Sequence, residues 1–292
     1  MDITLKSGTN TAVVATKGGE LTSFRDGAGT EFIWTGDPAY WPGQNPILFP
    51  IVGNLKDGKV EIRGKTCEMG RHGFARRSEF TLAERGEDLA VLELRENEQT
   101  LAQYPYPFLL RVTHKVTETG FSTSFEVRNT GSERMPFCIG AHTGINCPLH
   151  PGEQFEDYEL VFDKPEQAAS LLLSGDGLIS PAGRAALLDN SRVLPLSYGL
   201  FERLPTVIFD GLASDGVCLR HKKTGHGVRM DFPSWPMIAF WTAKTGAPYL
   251  CLEPWCGCAA LENESGRFED KPACTRLEPG ENAGFRYTVT IL

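Results

Sequence analysis

Apolar and polar residues alternate with a period of two along much of the chain. The clearest case is residues 108–128, where Leu110 and Val112 alternate with polar residues before a turn at residues 119–120, and Phe121 continues the alternation after it. Alternation on both sides of a turn indicates a β-hairpin with one buried face.

Ten other short segments carry β-branched and aromatic residues between turn-forming glycines and prolines, and we predict a strand in each. These segments are residues 3–5, 11–16, 89–94, 158–161, 206–209, 216–221, 227–232, 237–242, 249–252 and 286–291. Helical periodicity is nearly absent. The stretch 165–189 is the best candidate for a helix, but Gly175, Gly177, Pro181 and Gly183 interrupt it, so we expect a loop with at most one helical turn.

The 292 residues contain no linker rich in serine, proline or charge, and no internal repeat. Many short strands without helices favour one large all-β domain, a β-sandwich of two stacked sheets over residues 1–292. A division into two domains is the weaker alternative, because large all-β folds reach about 200–250 residues as one unit.

Composition narrows the class of protein. Hydrophobic residues are 41% and charged residues 23%, which is ordinary for a globular protein and excludes a disordered chain. The net charge of -8, without a basic tract, argues against nucleic-acid and anionic-lipid partners. The N-terminal segment MDITLKSGTN lacks the apolar core of a signal peptide, and no run of about 18 apolar residues occurs, so we expect a cytoplasmic protein.

In the cytoplasm we expect the eight cysteines to be free thiols rather than a disulfide framework. The four that lie closest in sequence, Cys251, Cys256, Cys258 and Cys274, lack the paired C-x2-C spacing of structural zinc sites, so we predict no metal there. The other four are scattered singly, and we interpret them as small buried apolar side chains.

Three ionisable residues stand in local sequences that suit chemistry. His72 lies in MGRHGFARR, where glycines permit a tight backbone and arginines, Arg76 among them, suit a polyhydroxylated or anionic ligand. His142 lies in CIGAHTGINCP, where small neighbours leave its ring uncovered and able to act as an acid. Glu253 ends the apolar strand of YLCLEPWCG, and Trp255 offers a flat apolar face for a sugar ring. A structural salt bridge between Glu253 and Arg76 is the alternative to a site of two histidines and one glutamate.

An ordered set of motifs resembles the aldose 1-epimerase (galactose mutarotase) family. The motifs are WTGDPAYWPGQNP, NPILFPIVGNLKDGKV, RHGFAR, YPYPFLLRVTHKV, IGAH, CLEPWCG and ESGRFEDKPACTRLEPGE, from about Trp34 to the C-terminus. The match is closest to bacterial members that have the HGFAR and EPW segments. The resemblance implies a single β-supersandwich domain of the galactose mutarotase type. It also implies a reaction that interconverts the α and β anomers of a free aldohexose without a metal or cofactor.

The same resemblance implies a role for each residue of the site. Glu253 is the base that takes the proton of the anomeric C1 hydroxyl, and His142 is the acid that protonates the ring oxygen. His72 hydrogen-bonds the substrate and helps to polarise that oxygen. The expected substrate contacts are Asn54, Arg76 and Trp255.

The sequence departs from the family pattern at Asn54, where many members have a substrate-binding arginine, with Lys56 nearby as a replacement cation. Three other functions stay open. One is a hexose 6-phosphate mutarotase that holds phosphate through Arg76 and Arg77. Another is a non-catalytic sugar-binding protein on the same fold. The third is a polysaccharide lyase or hydrolase, although hydrolysis usually needs two carboxylates and only Glu253 is well placed.

Overall fold

The computed structural model describes residues 1–243 and 245–292, and their regular structure is almost entirely β. The strands are β1 (Asp2–Ser7), β2 (Asn10–Ala15), β3 (Leu21–Arg25), β4 (Ile47–Leu48), β5 (Lys59–Ile62), β6 (Lys65–Glu68), β7 (Thr81–Arg85), β8 (Leu89–Arg95), β9 (Phe108–Thr117), β10 (Gly120–Asn129), β11 (Met135–Phe137), β12 (Ile139–Ala141), β13 (Thr143–Asn146), β14 (Tyr158–Leu173), β15 (Ile179–Pro195), β16 (Val207–Asp210), β17 (Gly216–His221), β18 (Gly227–Asp231), β19 (Met237–Trp241), β20 (Tyr249–Cys256), β21 (Thr275–Leu277) and β22 (Asn282–Ile291). The helical segments are α1 (Glu98–Gln103), α2 (Tyr198–Arg203) and 3-10 turns at Lys56–Gly58, Ala75–Arg77, Phe155–Asp157 and Phe268–Asp270.

Two large antiparallel sheets contain most of these strands. One has nine strands in the order β15-β14-β17-β18-β22-β10-β9-β8-β7. The other has six, in the order β16-β19-β20-β12-β4, with β13 also paired to β20. Smaller sheets are formed by β1-β2-β3, by β5-β6 and by β11-β21.

The two large sheets pack face to face. The ring of Phe162 on β14 lies 6.0 Å from that of Phe209 on β16 and 6.1 Å from that of Phe240 on β19. All three side chains are buried. The predicted sandwich of two sheets is therefore confirmed, and the burial of apolar and aromatic surface between the sheets stabilises it.

The predicted hairpin is the β9–β10 pair, in which Val112 lies opposite Phe125 and Val116 opposite Phe121. These four side chains are buried, so the apolar positions of the alternating pattern form the face that packs inward. The other ten predicted strands are also present, as β1, β2, β8, β14, β16, β17, β18, β19, β20 and β22.

The expectation of a loop at residues 165–189 is wrong. This stretch belongs to a long hairpin in which β14 pairs with β15 across several bulges that shift the register. Gly175 and Gly177 lie in the turn between the strands, whereas Pro181 and Gly183 lie on β15, the outer strand of the nine-stranded sheet. Proline is tolerated on an edge strand because part of its backbone has no neighbour to bond. The bulges remove the period of two that would have revealed the strands.

The cysteines are free thiols, as predicted. Seven are buried, and Cys218 on β17 is partly exposed. Within the described residues, no helix is long and apolar enough to cross a membrane.

His114 is a buried histidine on β9 that links stability to pH. It is 1% exposed. Its Nδ1 lies 3.0 Å from Thr123 Oγ1, and its Nε2 lies 2.8 Å from the carbonyl oxygen of Gly19. Burial lowers the pKa of His114 to about 4.

We predict that this histidine destabilises the fold in acid. Its folded-state pKa lies below the ordinary 6.5, so the unfolded chain takes up a proton that the folded chain does not. The contribution of neutral His114 to the free energy of unfolding is complete above pH 6.5 and falls as the pH drops toward about 4. The loss is about 1.4 kcal/mol per pH unit and reaches up to about 3 kcal/mol. The free energy of unfolding, measured with urea across this range, should change less steeply with pH for His114→Gln than for the wild type. Equal slopes would contradict the assignment.

Candidate active site

The six-stranded sheet places His142 directly across from Glu253. β13 begins with Thr143 opposite Leu252 of β20, and β12 pairs with β20 in the same register. That register, carried through the break between β12 and β13, puts His142 opposite Glu253. Facing side chains on antiparallel strands have Cβ atoms about 4.5–5.5 Å apart, so strand pairing alone brings the two groups together.

The two side chains meet in a site that is nearly closed to solvent. His142 Nε2 lies 3.3 Å from Glu253 Oε1. The residues are 5% and 1% exposed. His142 Nδ1 and Glu253 Oε2 find no hydrogen-bond partner among the described residues. An unpaired buried polar atom costs about 1–3 kcal/mol, so the site keeps hydrogen-bonding capacity for a ligand.

Burial controls the protonation of this pair. It raises the pKa of Glu253 well above its usual value, against the lowering effects of Arg71 and of the Trp255 indole. It lowers the pKa of His142, and Arg71 and Arg76 lower it further. Both groups therefore favour the neutral form. Transfer of the Glu253 proton across the 3.3 Å between Oε1 and Nε2 would give the carboxylate and imidazolium form of the pair.

His72 stands in a loop that two glycines hold against the sheet. Its φ of 67° lies in the left-handed region, which is unusual for a residue with a side chain. Its backbone N–H donates to the Gly53 carbonyl at 2.9 Å, and the Gly53 N–H donates to His72 Nδ1 at 3.1 Å. At Gly73 a Cβ would lie 2.2 Å from the carbonyl oxygen of Phe49, so only glycine fits beside the histidine.

Arg71 and His72 lie against each other beside the acid/base pair. The His72 ring lies 5.6 Å from the His142 ring, edge to face. Burial and the neighbouring positive charges lower the pKa of His72 well below its usual value, so the ring is neutral. The Arg71 Nε–H points at His72 Nε2, 3.1 Å away. A neutral imidazole accepts at one nitrogen only, so the ring cannot accept from Gly53 and from Arg71 at the same time.

Two indole rings cover one side of His142. The Trp41 ring lies 4.8 Å from the His142 ring, and the Trp241 ring lies 5.4 Å from it. The two indoles meet edge-on at 5.3 Å. Gly144 makes room for Trp34 and Trp41, since a Cβ there would lie 2.9 Å from Trp34 Cβ and 3.2 Å from the Trp41 ring. Trp41 and Trp241 are partly exposed, and they give the site an apolar wall next to its polar groups.

The structure places two of the predicted substrate contacts around this centre. Asn54 lines a cavity of about 380 Å³ that Arg71 and Asp176 also line. Its side-chain amide donates to the carbonyl of Asp176, in the turn between β14 and β15, at 2.8 Å. Arg76 is partly buried, and burial lowers its pKa while the charge of Glu20 raises it.

The third predicted contact, Trp255, is 5% exposed, and its indole acts on the Glu253 carboxylate by lowering its pKa. Its role as a sugar platform stays a prediction, and the partly exposed indoles described above are the more accessible aromatic surfaces. Glu253 pairs with His142 and not with Arg76, so the structural salt bridge considered as an alternative is absent.

Three contributors to this site are not among the predicted site residues, and they are Arg71, Trp41 and Trp241. Arg71 directly precedes His72 and counts in the sequence only as one of the positive charges of the MGRHGFARR motif. Trp41 had a signal of its own, because it is an aromatic residue in a loop rich in glycine and proline. Trp241 ends an apolar strand and gave no such signal.

Comparison with known proteins agrees with this geometry. The family described as Aldose 1-epimerase matches residues 1–290. The chromosomal LacX protein of Lactococcus lactis subsp. lactis is 38% identical over 299 residues, covering 100% of both chains.

Solved structures agree as well. A galactose mutarotase related enzyme from Lactobacillus acidophilus has a TM-score of 0.93 and 29% identity, covering 100% of this chain and 97% of that one. A galactose mutarotase-like protein from Lactobacillus casei ATCC 334 has a TM-score of 0.91 and 25% identity, covering 100% of both chains. The chain therefore belongs to the aldose 1-epimerase family, a group of isomerases.

Proposed function

We propose that this protein is a mutarotase that interconverts the α and β anomers of a free aldohexose. The observation that carries the proposal is the buried contact between His142 and Glu253, 3.3 Å apart, with one transferable proton between them. Opening a hemiacetal ring requires one proton to leave the anomeric hydroxyl and one to reach the ring oxygen. A base and an acid side by side meet both requirements.

The proposed cycle uses the pair in its carboxylate and imidazolium form. Glu253 accepts the proton of the C1 hydroxyl, His142 donates its proton to the ring oxygen O5, and the C1–O5 bond breaks to give the open aldehyde. Rotation about C1–C2 exposes the other face of the carbonyl. On closure O5 attacks C1, His142 takes its proton back, and Glu253 returns a proton to O1. The proton count closes within the pair, so this cycle uses no cofactor.

Arg71 and His72 would stabilise the negative charge that develops on the ring oxygen. The Arg71 N–H, which points at His72 Nε2 from 3.1 Å, would turn to O5 and donate to it as negative charge develops there, with His72 beside it. Preorganised donors of this kind stabilise charge best in a site that excludes water. Bound sugar hydroxyls would also satisfy the unpaired atoms of the buried pair and favour its charged form.

We further propose that residues 1–292 act as one domain in the cytoplasm. A purely sugar-binding protein is the weaker proposal, because binding alone gives no reason to bury a carboxyl beside an imidazole. A lyase or hydrolase is also weaker, since Glu253 has a histidine rather than a second carboxylate as its partner.

One observation favours hexose 6-phosphates as a second candidate substrate class. Arg71 and Arg76 both lower the pKa of His142, so two positive charges lie near the site. Arg77 lines a further cavity of about 450 Å³ beside the same loop. Such charge would favour a phosphorylated sugar over a neutral one.

We predict that Glu253→Gln and His142→Asn each lower kcat for anomer exchange by about 10²–10⁴-fold, because each removes a proton-transfer group. Polarimetry of freshly dissolved α-D-glucose and α-D-galactose measures this. The matched controls are Glu126→Gln and His150→Asn, which make the same changes outside the site and should keep wild-type rates. Near-full activity in a folded Glu253→Gln or His142→Asn would refute the assigned roles.

Arg71→Met should lower kcat by about 10²-fold for every aldose that the enzyme accepts, since it removes a donor to the ring oxygen. Arg128→Met, an exposed arginine on β10, is the control and should leave kcat unchanged. An Arg71→Met enzyme with unaltered kcat would show that the arginine does not act on O5.

The second candidate substrate has its own test. If phosphate binds near Arg76, Arg76→Met should raise KM for glucose 6-phosphate about 10-fold more than KM for glucose, which is the effect expected from losing one charge-assisted hydrogen bond. Parallel saturation-transfer measurements on the two sugars give both constants. Equal changes in the two KM values would favour the free aldose as the substrate.

A further inference from the structure

A third side chain with metal-binding chemistry lies beside the acid/base pair. Cys251 stands two residues before Glu253 on β20, so both side chains point to the same face of the sheet. The ligand atoms of His142, Cys251 and Glu253 all lie within 4.8 Å of one another, and all three residues are buried. The proposed reaction gives the thiol of Cys251 no task.

The spacing of these atoms is close to that of a tetrahedral zinc site. Bonds of about 2.0–2.3 Å to nitrogen, oxygen and sulfur place the ligand atoms roughly 3.3–3.8 Å apart. His142 Nε2 and Glu253 Oε1 already meet this spacing at 3.3 Å. The spacings within the group are at most 4.8 Å, so those to the Cys251 sulfur exceed the tetrahedral spacing by about 1 Å or less.

The chemistry of the donors selects the kind of ion. A neutral imidazole, a thiolate and a carboxylate form the mixed set that Zn²⁺ and Cd²⁺ prefer, whereas Mg²⁺ and Ca²⁺ prefer oxygen ligands alone. The thiolate and carboxylate together carry two negative charges. These two charges balance those of the divalent ion.

We propose that His142, Cys251 and Glu253 form a binding site for Zn²⁺ or Cd²⁺, and that an ion bound there blocks anomer interconversion. As the metal–sulfur and metal–oxygen bonds form, the thiol of Cys251 and the carboxyl of Glu253 each release a proton to solvent. The ion then occupies the lone pairs of His142 and Glu253 that the sugar's proton transfers require. The inhibition rests on the proposed function, whereas the binding of the ion does not.

The test separates these two parts. Titration of the purified protein with Cd²⁺ is followed by the ultraviolet charge-transfer absorption of the cadmium–thiolate bond. The wild type should bind one ion tightly, and Cys251→Ala should lose this binding or weaken it at least about 10-fold, since even a supporting partner of a ligand contributes about 10–100-fold. Cys218→Ala, which removes a partly exposed thiol on β17, is the matched control and should bind like the wild type.

Mutarotation is then measured with Zn²⁺, Cd²⁺ and Mg²⁺, and each rate is normalised to the same variant without metal. Zn²⁺ and Cd²⁺ should inhibit the wild type and Cys218→Ala, their inhibition constants should rise at least about 10-fold in Cys251→Ala, and Mg²⁺ should have no effect. Equal Cd²⁺ absorption in Cys251→Ala and the wild type, or equal inhibition by Mg²⁺, would overturn the proposal.

Two further outcomes have a defined meaning. If Cys251→Ala does not fold, His142→Asn, which keeps every thiol, must bind Cd²⁺ at least about 10-fold more weakly than the wild type, and unchanged affinity would overturn the proposal. If the wild type binds Cd²⁺ as expected but accelerates anomer exchange of no sugar, the proposed function fails and the metal site stands.

Discussion

The cost of burying two ionisable groups side by side governs this site. Glu253 and His142 lie 3.3 Å apart with almost no exposure to solvent. Both groups favour the neutral form, which limits the cost of desolvation. Transfer of one proton between them would let one group accept while the other donates. Sheet register sets their spacing, and the loop that carries His72 adds a donor beside them.

The residues of the acid/base pair are predictable because each stands in a local sequence that packing does not easily explain. Glu253 directly follows the apolar run of residues 249–252, and His142 lies among residues too small to cover it. Their contact is not predictable from those patterns, since it depends on the pairing of distant strands. Arg71 and Trp41 are harder still, because their importance appears only when their loops meet the sheet.

The same limit explains which strands the sequence reveals. A strand with one buried face shows a clear period of two, as β9 and β10 do. The β14–β15 hairpin hides this period, because bulges shift its register and much of its outer strand is exposed. This hairpin matters to the site, since the turn between its strands contacts Asn54 and helps to line the cavity next to Arg71.

The most direct test of the account is saturation-transfer NMR between the α and β anomeric protons of D-glucose and D-galactose, with catalytic amounts of the wild-type protein. The account predicts a transfer rate well above that of buffer, rising in proportion to protein concentration, for at least one of these free sugars. A rate equal to that of buffer for both sugars, with the protein shown to be folded, would contradict the assignment of the buried His142–Glu253 pair to mutarotation of a free aldohexose.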